Sequence, residues 1–224
     1  FDAVECHWPY DTPTAEVNTA LSETGLIMLG LNTARGSNRD NGLAAVPGRE
    51  EEAHQVIAQA IEYAAATKTP NVHVMAGFAQ GREAHETFIE NLHYACQKAL
   101  PHNITILIEP LNHYDAPNYF LKTSAQAKAI IEQTNAPNLK LMFDCYHIQI
   151  MEGDISRRLE ALLPIIGHIQ FASVPDRAEP HQGELDYRHV FGLLEDIGFK
   201  APLGAEYRPA TTTDEGLGWM EILR

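Results

Sequence analysis

Four polar residues close short apolar runs in this chain. Residues 104–108 end at Glu109, residues 139–143 at Asp144 and residues 203–205 at Glu206, while Ile169 leads directly to Gln170. Two glutamates, an aspartate and a neutral amide form an all-oxygen donor set. That set suits a hard divalent cation, Mg2+ or Mn2+, better than Zn2+, which prefers His and Cys. Three carboxylates in one place repel one another unless a cation sits among them. Gln170 is informative because an amide is a weak ion-pair partner but a good oxygen ligand. Glu109 and Glu206 also suggest chemistry. If they face each other across a hydroxycarbonyl compound, one takes a proton from carbon and the other returns it to the neighbouring carbon, with a cation steadying the enediolate between. One glutamate at a strand end is more often a helix cap or an ion-pair partner; four such residues on four strands favour a site.

Other polar residues gather near the same strand ends: His7, His73, His113, His147, His168 and His181. A lone histidine is ordinarily a satisfied core or surface residue. His147 lies three residues beyond Asp144 and is expected to return to the site and touch substrate, and His73 is placed there with it. His168 shares a face with Gln170 by the two-residue period of a strand, but deeper, where packing is its expected role. Glu5 and His7 alternate along the first run and are read as substrate-binding residues pointing into the same interior. Arg177, in the loop after Gln170, offers a planar fork for a substrate carboxylate or hydroxyls; its plain alternative is a solvated loop charge. Trp8 and Tyr10 read equally as pocket wall or packing, and Cys145 as core.

The elements that must carry these residues are strands and helices in alternation. Seven short runs read as buried strands: residues 3–8, 26–31, 71–75, 104–109, 139–144, the run through 170, and 203–206. Helices are expected over 15–23, capped by Thr14 and stopped by Gly25, and over 49–68, where Ala53, Val56, Ile57, Ala60, Ile61 and Ala64 form an apolar stripe. Further helices are expected over 83–100, with Phe88, Leu92, Ala95 and Cys96 inward, then 124–133, 155–163 and 187–197, the last capped by Asp186, with a final helix after Thr213. Repeated β-then-α order implies a parallel sheet with right-handed crossovers. A doubly wound sheet shares that alternation. Polar groups at the tips of successive strands favour a (β/α)8 barrel, which builds its active site there. Such a barrel has eight strands, so a first strand and helix are expected upstream of Phe1. No linker, repeat or low-complexity stretch interrupts residues 1–224, which read as one domain.

Asp and Glu number 30 against 16 Lys and Arg, a net charge of −14. That balance argues against a nucleic-acid partner, which requires a basic footprint. Cys6, Cys96 and Cys145 are odd in number and form no CxxC, so no disulfide framework is expected and a reducing cytoplasm is the default compartment. No apolar run approaches the roughly 18 residues that span a bilayer, so no membrane partner is expected. The composition is compatible with a homo-oligomer. GxSxG, P-loop and GxGxxG motifs are absent, which leaves reversible acid–base chemistry as the simplest reading.

The segments ILIEPLN, LMFDCYHIQIMEGD, GHIQFASVPDRAEPHQGELDY and GAEYRP resemble the hydroxypyruvate isomerase family, within the xylose-isomerase-like TIM barrels, and AVECHWPYD and VHVMAG fit the same pattern. The resemblance covers essentially the whole chain. It implies that Glu109 and Glu206 are the catalytic glutamates. It also implies that Glu109, Asp144, Gln170 and Glu206 bind Mg2+ or a similar divalent ion. Sugar epimerases of the same superfamily have His where this chain has Gln170; their substrate-binding His and Arg match His147 and, allowing for one inserted residue, Arg177. The implied substrate is a small hydroxy or oxo acid: hydroxypyruvate, interconverted with tartronate semialdehyde, or a four-carbon 2-oxo-tetronate. Such an anion must meet local positive charge, from the ion, Arg177 or Arg208, that overrides the global field. A DNA-repair endonuclease of this superfamily would want a basic groove and several histidines on zinc, which the charge and Gln170 oppose. A non-catalytic sugar-acid sensor would keep the pocket but would not need both glutamates.

Overall fold

The seven apolar runs all form strands, and all seven strands are parallel. The computed structural model describes residues 1–37 and 40–223. The strands are β1 (Ala3–Glu5), β2 (Ile27–Asn32), β3 (Asn71–His73), β4 (Thr105–Ile108), β5 (Leu139–Asp144), β6 (Ile166–Phe171) and β7 (Gly204–Ala205). Each pairs with its neighbours in sequence, giving the order β1 to β7. The helices between and after them are α1 (Thr14–Thr24), α2 (Glu50–Thr67), α3 (Gly81–Ala99), α4 (Ser124–Thr134), α5 (Cys145–Met151), α6 (Ile155–Leu162), α7 (Tyr187–Asp196), α8 (Thr213–Gly216) and α9 (Trp219–Ile222). Sequential parallel pairing with a helix in each crossover curls the sheet into a nearly closed TIM barrel. Among the described residues, no helix is long and apolar enough to cross a membrane.

Burial explains the pattern. Ile106, Ile108, Leu141, Phe143 and Ile169, at the centre of the sheet, are almost wholly inaccessible, as befits strands covered on both faces. The stripe of α2 buries Ala53, Ile57, Ala60, Ile61 and Ala64, and that of α3 buries Phe88, Leu92, Ala95 and Cys96. The alanines in both stripes let these neighbouring helices lie close on each other and on the sheet. Helix α1 buries none of its residues.

The edges of β1 and β7 remain unpaired and share a slot of about 710 Å3 lined by Val4, Phe171, Leu203, Ala205 and Trp219. The Glu5 carboxylate reaches from β1 to β6: Oε1 lies 2.9 Å from Nε2 of His168, and Nε2 of Gln170 donates to it at 3.4 Å. Gly204 leaves room for that carboxylate, since a Cβ there would lie 2.3 Å from Glu5 Oε2.

Four local expectations are corrected. Strand β1 stops at Glu5, where a register shift after Val4 matches Glu5 to Gly30, rather than running on to Trp8. Helix α1 begins at Thr14 itself, after Pro13, with no side-chain cap. The helix expected after Thr213 begins at Thr213 itself, as α8, capped by Thr212. The segment after Asp144 is helix α5 rather than a loop, because the Asp144 side chain caps it at once by accepting from the Tyr146 N–H at 2.8 Å.

Candidate active site

A cavity of about 220 Å3 opens at the C-terminal ends of the strands, lined by His7, His73, Glu109, His147, Gln170, Arg177 and Glu206. Strand register brings the four oxygen-bearing residues to it. Asp144 ends β5 directly beside Gln170 of β6. Glu109 follows β4. Glu206 follows β7 and is pinned by donating its N–H to Phe171 O at 3.2 Å. Asp144 adjoins the lining: its Oδ2 lies 3.6 Å from His147 Nε2 and 3.9 Å from Arg177 Nη2.

Burial and mutual repulsion set the electrostatics of this cluster. Burial, then the nearby Glu206 and Asp144 charges, push the Glu109 carboxyl well above its ordinary range. Burial, then Glu206, raise Asp144 to about 7, against the opposing pull of Arg177 and the Tyr146 N–H. Glu109 Oε1, Asp144 Oδ2 and Gln170 Oε1 are buried with no hydrogen-bond partner among the described residues. Buried unsatisfied oxygens are costly, and three from neighbouring strands facing one cavity fit a hard divalent ion.

Glu109, Asp144 and His147 offer atoms that all lie within 4.8 Å of one another, which by distance alone makes His147 a third ligand. Hydrogen bonding argues otherwise. The backbone N–H of Asn112 donates to His147 Nδ1 at 3.0 Å, and its side-chain amide lies 2.8 Å from the same nitrogen. Burial, then Arg177 and His73, hold the ring well below its usual pKa, so it is neutral. A neutral ring that accepts at Nδ1 carries its proton on Nε2. That N–H faces Asp144 Oδ2 and Glu109 Oε1, at 3.6 and 4.0 Å, as a donor. A ligating histidine has the opposite arrangement, donating from its other nitrogen.

Arg177 is already engaged by protein acids. Its Nη2 donates to Glu206 Oε1 at 2.6 Å, and its Nη1 lies 3.6 Å from Asp115 Oδ2. The guanidinium sits 5.2 Å over the Tyr146 ring. Burial opposes its charge, but Glu206, Asp144, Glu109 and Asp115 outweigh that and keep it protonated. Arg177, expected as a substrate fork, lines the cavity with its fork hydrogen-bonded to Glu206.

His73 is 3% exposed, with Nδ1 3.6 Å from Glu109 Oε2, and burial drives its pKa to about 3, so it is neutral. His7 Nε2 lies 3.7 Å from Glu206 Oε1. Glu5, expected at the substrate, lies outside the cavity lining, occupied with His168 and Gln170. His168 meets that charge as well as packing. Trp8 lines the cavity and Tyr10 does not. His113 is exposed beside Tyr114, and His181 lines a separate surface hollow. Two residues escaped sequence reasoning. Asn112 orients His147, and Asp115 accepts from the Tyr146 hydroxyl at 2.9 Å. Their signal was the length of the loop over 110–120, since long βα loops tend to be functional.

Comparison with known proteins agrees with the fold. The xylose isomerase-like TIM barrel family matches residues 1–223. A 2-oxo-tetronate isomerase of Cupriavidus necator is 41% identical over 227 residues, covering 99% of this chain and 87% of that one. The hydroxypyruvate isomerase of Escherichia coli is 36% identical over 231 residues, covering 100% and 89%. A crystal structure from Brucella melitensis, described as an AP endonuclease of family 2, has a TM-score of 0.96 at 38% identity, covering 100% of this chain and 89% of that one. This chain belongs to the xylose isomerase-like TIM barrel family.

Proposed function

We propose that this protein isomerises a small 2-oxo acid, interconverting hydroxypyruvate and tartronate semialdehyde, with Mg2+ held by Glu109, Asp144, Gln170 and Glu206. The observation that carries this reading is the pair of glutamates, one after β4 and one after β7, on a single small cavity beside buried unpartnered oxygens. The hydroxypyruvate isomerase of E. coli supports it at 36% identity. The second reading is a four-carbon 2-oxo-tetronate, favoured by the 41% identity to the C. necator enzyme. The endonuclease description of the Brucella structure does not transfer, because a net charge of −14 opposes a phosphate backbone.

In the hydroxypyruvate direction one glutamate removes a proton from C3. The C–H electron pair forms a C2–C3 double bond and the carbonyl pair moves onto O2. The other glutamate delivers a proton to C2, the hydroxyl proton passes from O3 to O2, and an aldehyde remains at C3. The Nε2–H of His147 donates to a substrate oxygen that gains charge on the way, and Arg177 holds Glu206 at the reacting carbon. A bound divalent ion supplies positive charge where the two substrate oxygens become negative.

Exchange of the C3 protons in deuterated water, followed by NMR, tests the assignment. Glu109→Gln and Glu206→Gln should each slow exchange by about 10²- to 10⁴-fold. Undiminished exchange in both variants refutes the roles. Binding of the acid by the wild type without exchange makes the protein a sensor instead.

A further inference from the structure

We propose that Arg35 receives the substrate carboxylate, and that Trp8 holds its guanidinium ready for that task. This rests on the isomerase reading above, which requires an anionic substrate. The carboxylate of a 2-oxo acid must find a cation in a cavity that also holds the Glu109, Asp115 and Glu206 carboxylates. Arg177 is committed to Glu206 at 2.6 Å and is within 4 Å of Asp144 and Asp115. Arg35 lines the same cavity, and no carboxylate among the described residues is ion-paired with it. Its Cζ lies 4.0 Å from the centre of the Trp8 ring. Stacking of this kind holds the guanidinium plane and leaves its N–H edge open for a bidentate carboxylate.

The platform is itself fixed. Trp8 Nε1 donates to Thr33 O at 3.2 Å, and the ring meets His7 edge-on at 5.2 Å. His7 in turn faces Glu206 at 3.7 Å. The backbone at Arg35 is anchored too, since its carbonyl accepts from the Gly42 N–H at 3.0 Å. A partly exposed tryptophan under an arginine that is ion-paired to no carboxylate among the described residues suits an anion at the cavity mouth. It accounts for selection of an acid over the corresponding neutral ketose, which the oxygen-rich interior does not.

The test compares hydroxypyruvate with dihydroxyacetone, in which a hydroxymethyl group replaces the carboxylate. Steady-state rates give KM and kcat for the acid, and proton exchange in deuterated water follows both compounds in the Mg2+-loaded protein. Arg35→Gln should raise KM for hydroxypyruvate about 10- to 100-fold, with a much smaller change in kcat and in dihydroxyacetone exchange. Arg35→Lys, which keeps charge but not the planar fork, should fall between. Trp8→Leu should raise KM several-fold in the same direction. An unchanged KM in Arg35→Gln overturns the proposal, as does a larger rise in Arg208→Gln, since Arg208 also lines the cavity. Absence of exchange in the wild type with either hydroxypyruvate or 2-oxo-tetronate instead defeats the isomerase reading, and this assignment with it.

Discussion

Asn112 donates its backbone N–H to Nδ1 of His147 at 3.0 Å, and so the loop after β4 decides which ring nitrogen faces Glu109 and Asp144. With Nε2 protonated, His147 offers a donor to the cavity, and on the function proposed above it meets substrate and not the ion. His147→Gln should therefore change Mg2+ affinity by less than about threefold while lowering kcat by about 10²-fold. Titration calorimetry with Mg2+ alone measures the first and steady-state rates the second. A loss of Mg2+ binding as large as that of Asp144→Asn makes His147 a ligand.

The Asp144 and Glu109 carboxyls should cost the metal-free protein stability as pH rises from about 4 to about 7. The buried neutral His73 and His147 act in the opposite direction, so the carboxyl contribution is read as the difference between wild type and Asp144→Asn. Burial and then Glu206 raise Asp144 from its unfolded value of 3.8 to about 7, and Glu109 is raised as well. Over that window the folded state holds protons that the unfolded chain has released, so each such group costs up to about 1.4 kcal/mol per pH unit. Below about 4 both states are protonated and the cost vanishes. In chelator, the Tm of wild type minus that of Asp144→Asn should decline across the window, since only wild type carries the titrating Asp144. Saturating Mg2+ should flatten that decline, because ligands bind it deprotonated. A difference that shifts in favour of wild type as pH rises contradicts the assignment.

Removing the Arg177 cation should expose how much negative charge it balances. Arg177→Met leaves Glu206, Asp144 and Asp115 without their half-buried partner. The expected loss is about 3 kcal/mol in the metal-free protein, read from urea denaturation. Mg2+ should recover part of it, since the ion replaces the missing charge. Equal loss with and without Mg2+ would mean that Arg177 contributes by packing alone.

Gly42 fixes the loop that carries Arg35. Its φ of +101° lies where side chains rarely go, and a Cβ would sit 2.2 Å from the Met75 carbonyl oxygen. Gly42→Ala should cost about 3 kcal/mol or more through strain and overlap with rigid backbone, with Tm lower by roughly 10 °C. A calorimetric shift under 2 °C would show that the loop relaxes freely.

The barrel was legible because each strand is a short apolar run, and the site because each run of interest ends in a residue that hydrophobic burial does not explain. Glu109, Asp144, Gln170 and Glu206 stood out for that reason. Glu5 did not sort correctly, because alternation gives the face of a strand but not its partner, and the register shift after Val4 sets it against His168 and Gln170. Helix α5 was missed because Cys145–Met151 follows β5 with no intervening loop, so its beginning is marked only by the Asp144 side chain. Asn112, Asp115 and Arg35 lie on long loops, where position is set by tertiary contacts that periodicity does not encode.

Asp144 uses its two oxygens for different purposes: Oδ1 accepts from the Tyr146 N–H, and Oδ2 faces His147 Nε2 and Arg177 Nη2. A single carboxylate thus joins the start of α5 to the proposed ion, and His147 rides on that same first turn. An ion on Oδ2 would be coupled through one carboxylate to the cap on Oδ1, so binding it would steady the turn that carries the hydrogen-bond donor. Genetic dissection inherits this linkage. Asp144→Ala deletes a helix start along with a ligand, whereas Asp144→Asn preserves an acceptor for Tyr146, and the difference between the two variants measures how much of the reaction depends on the turn.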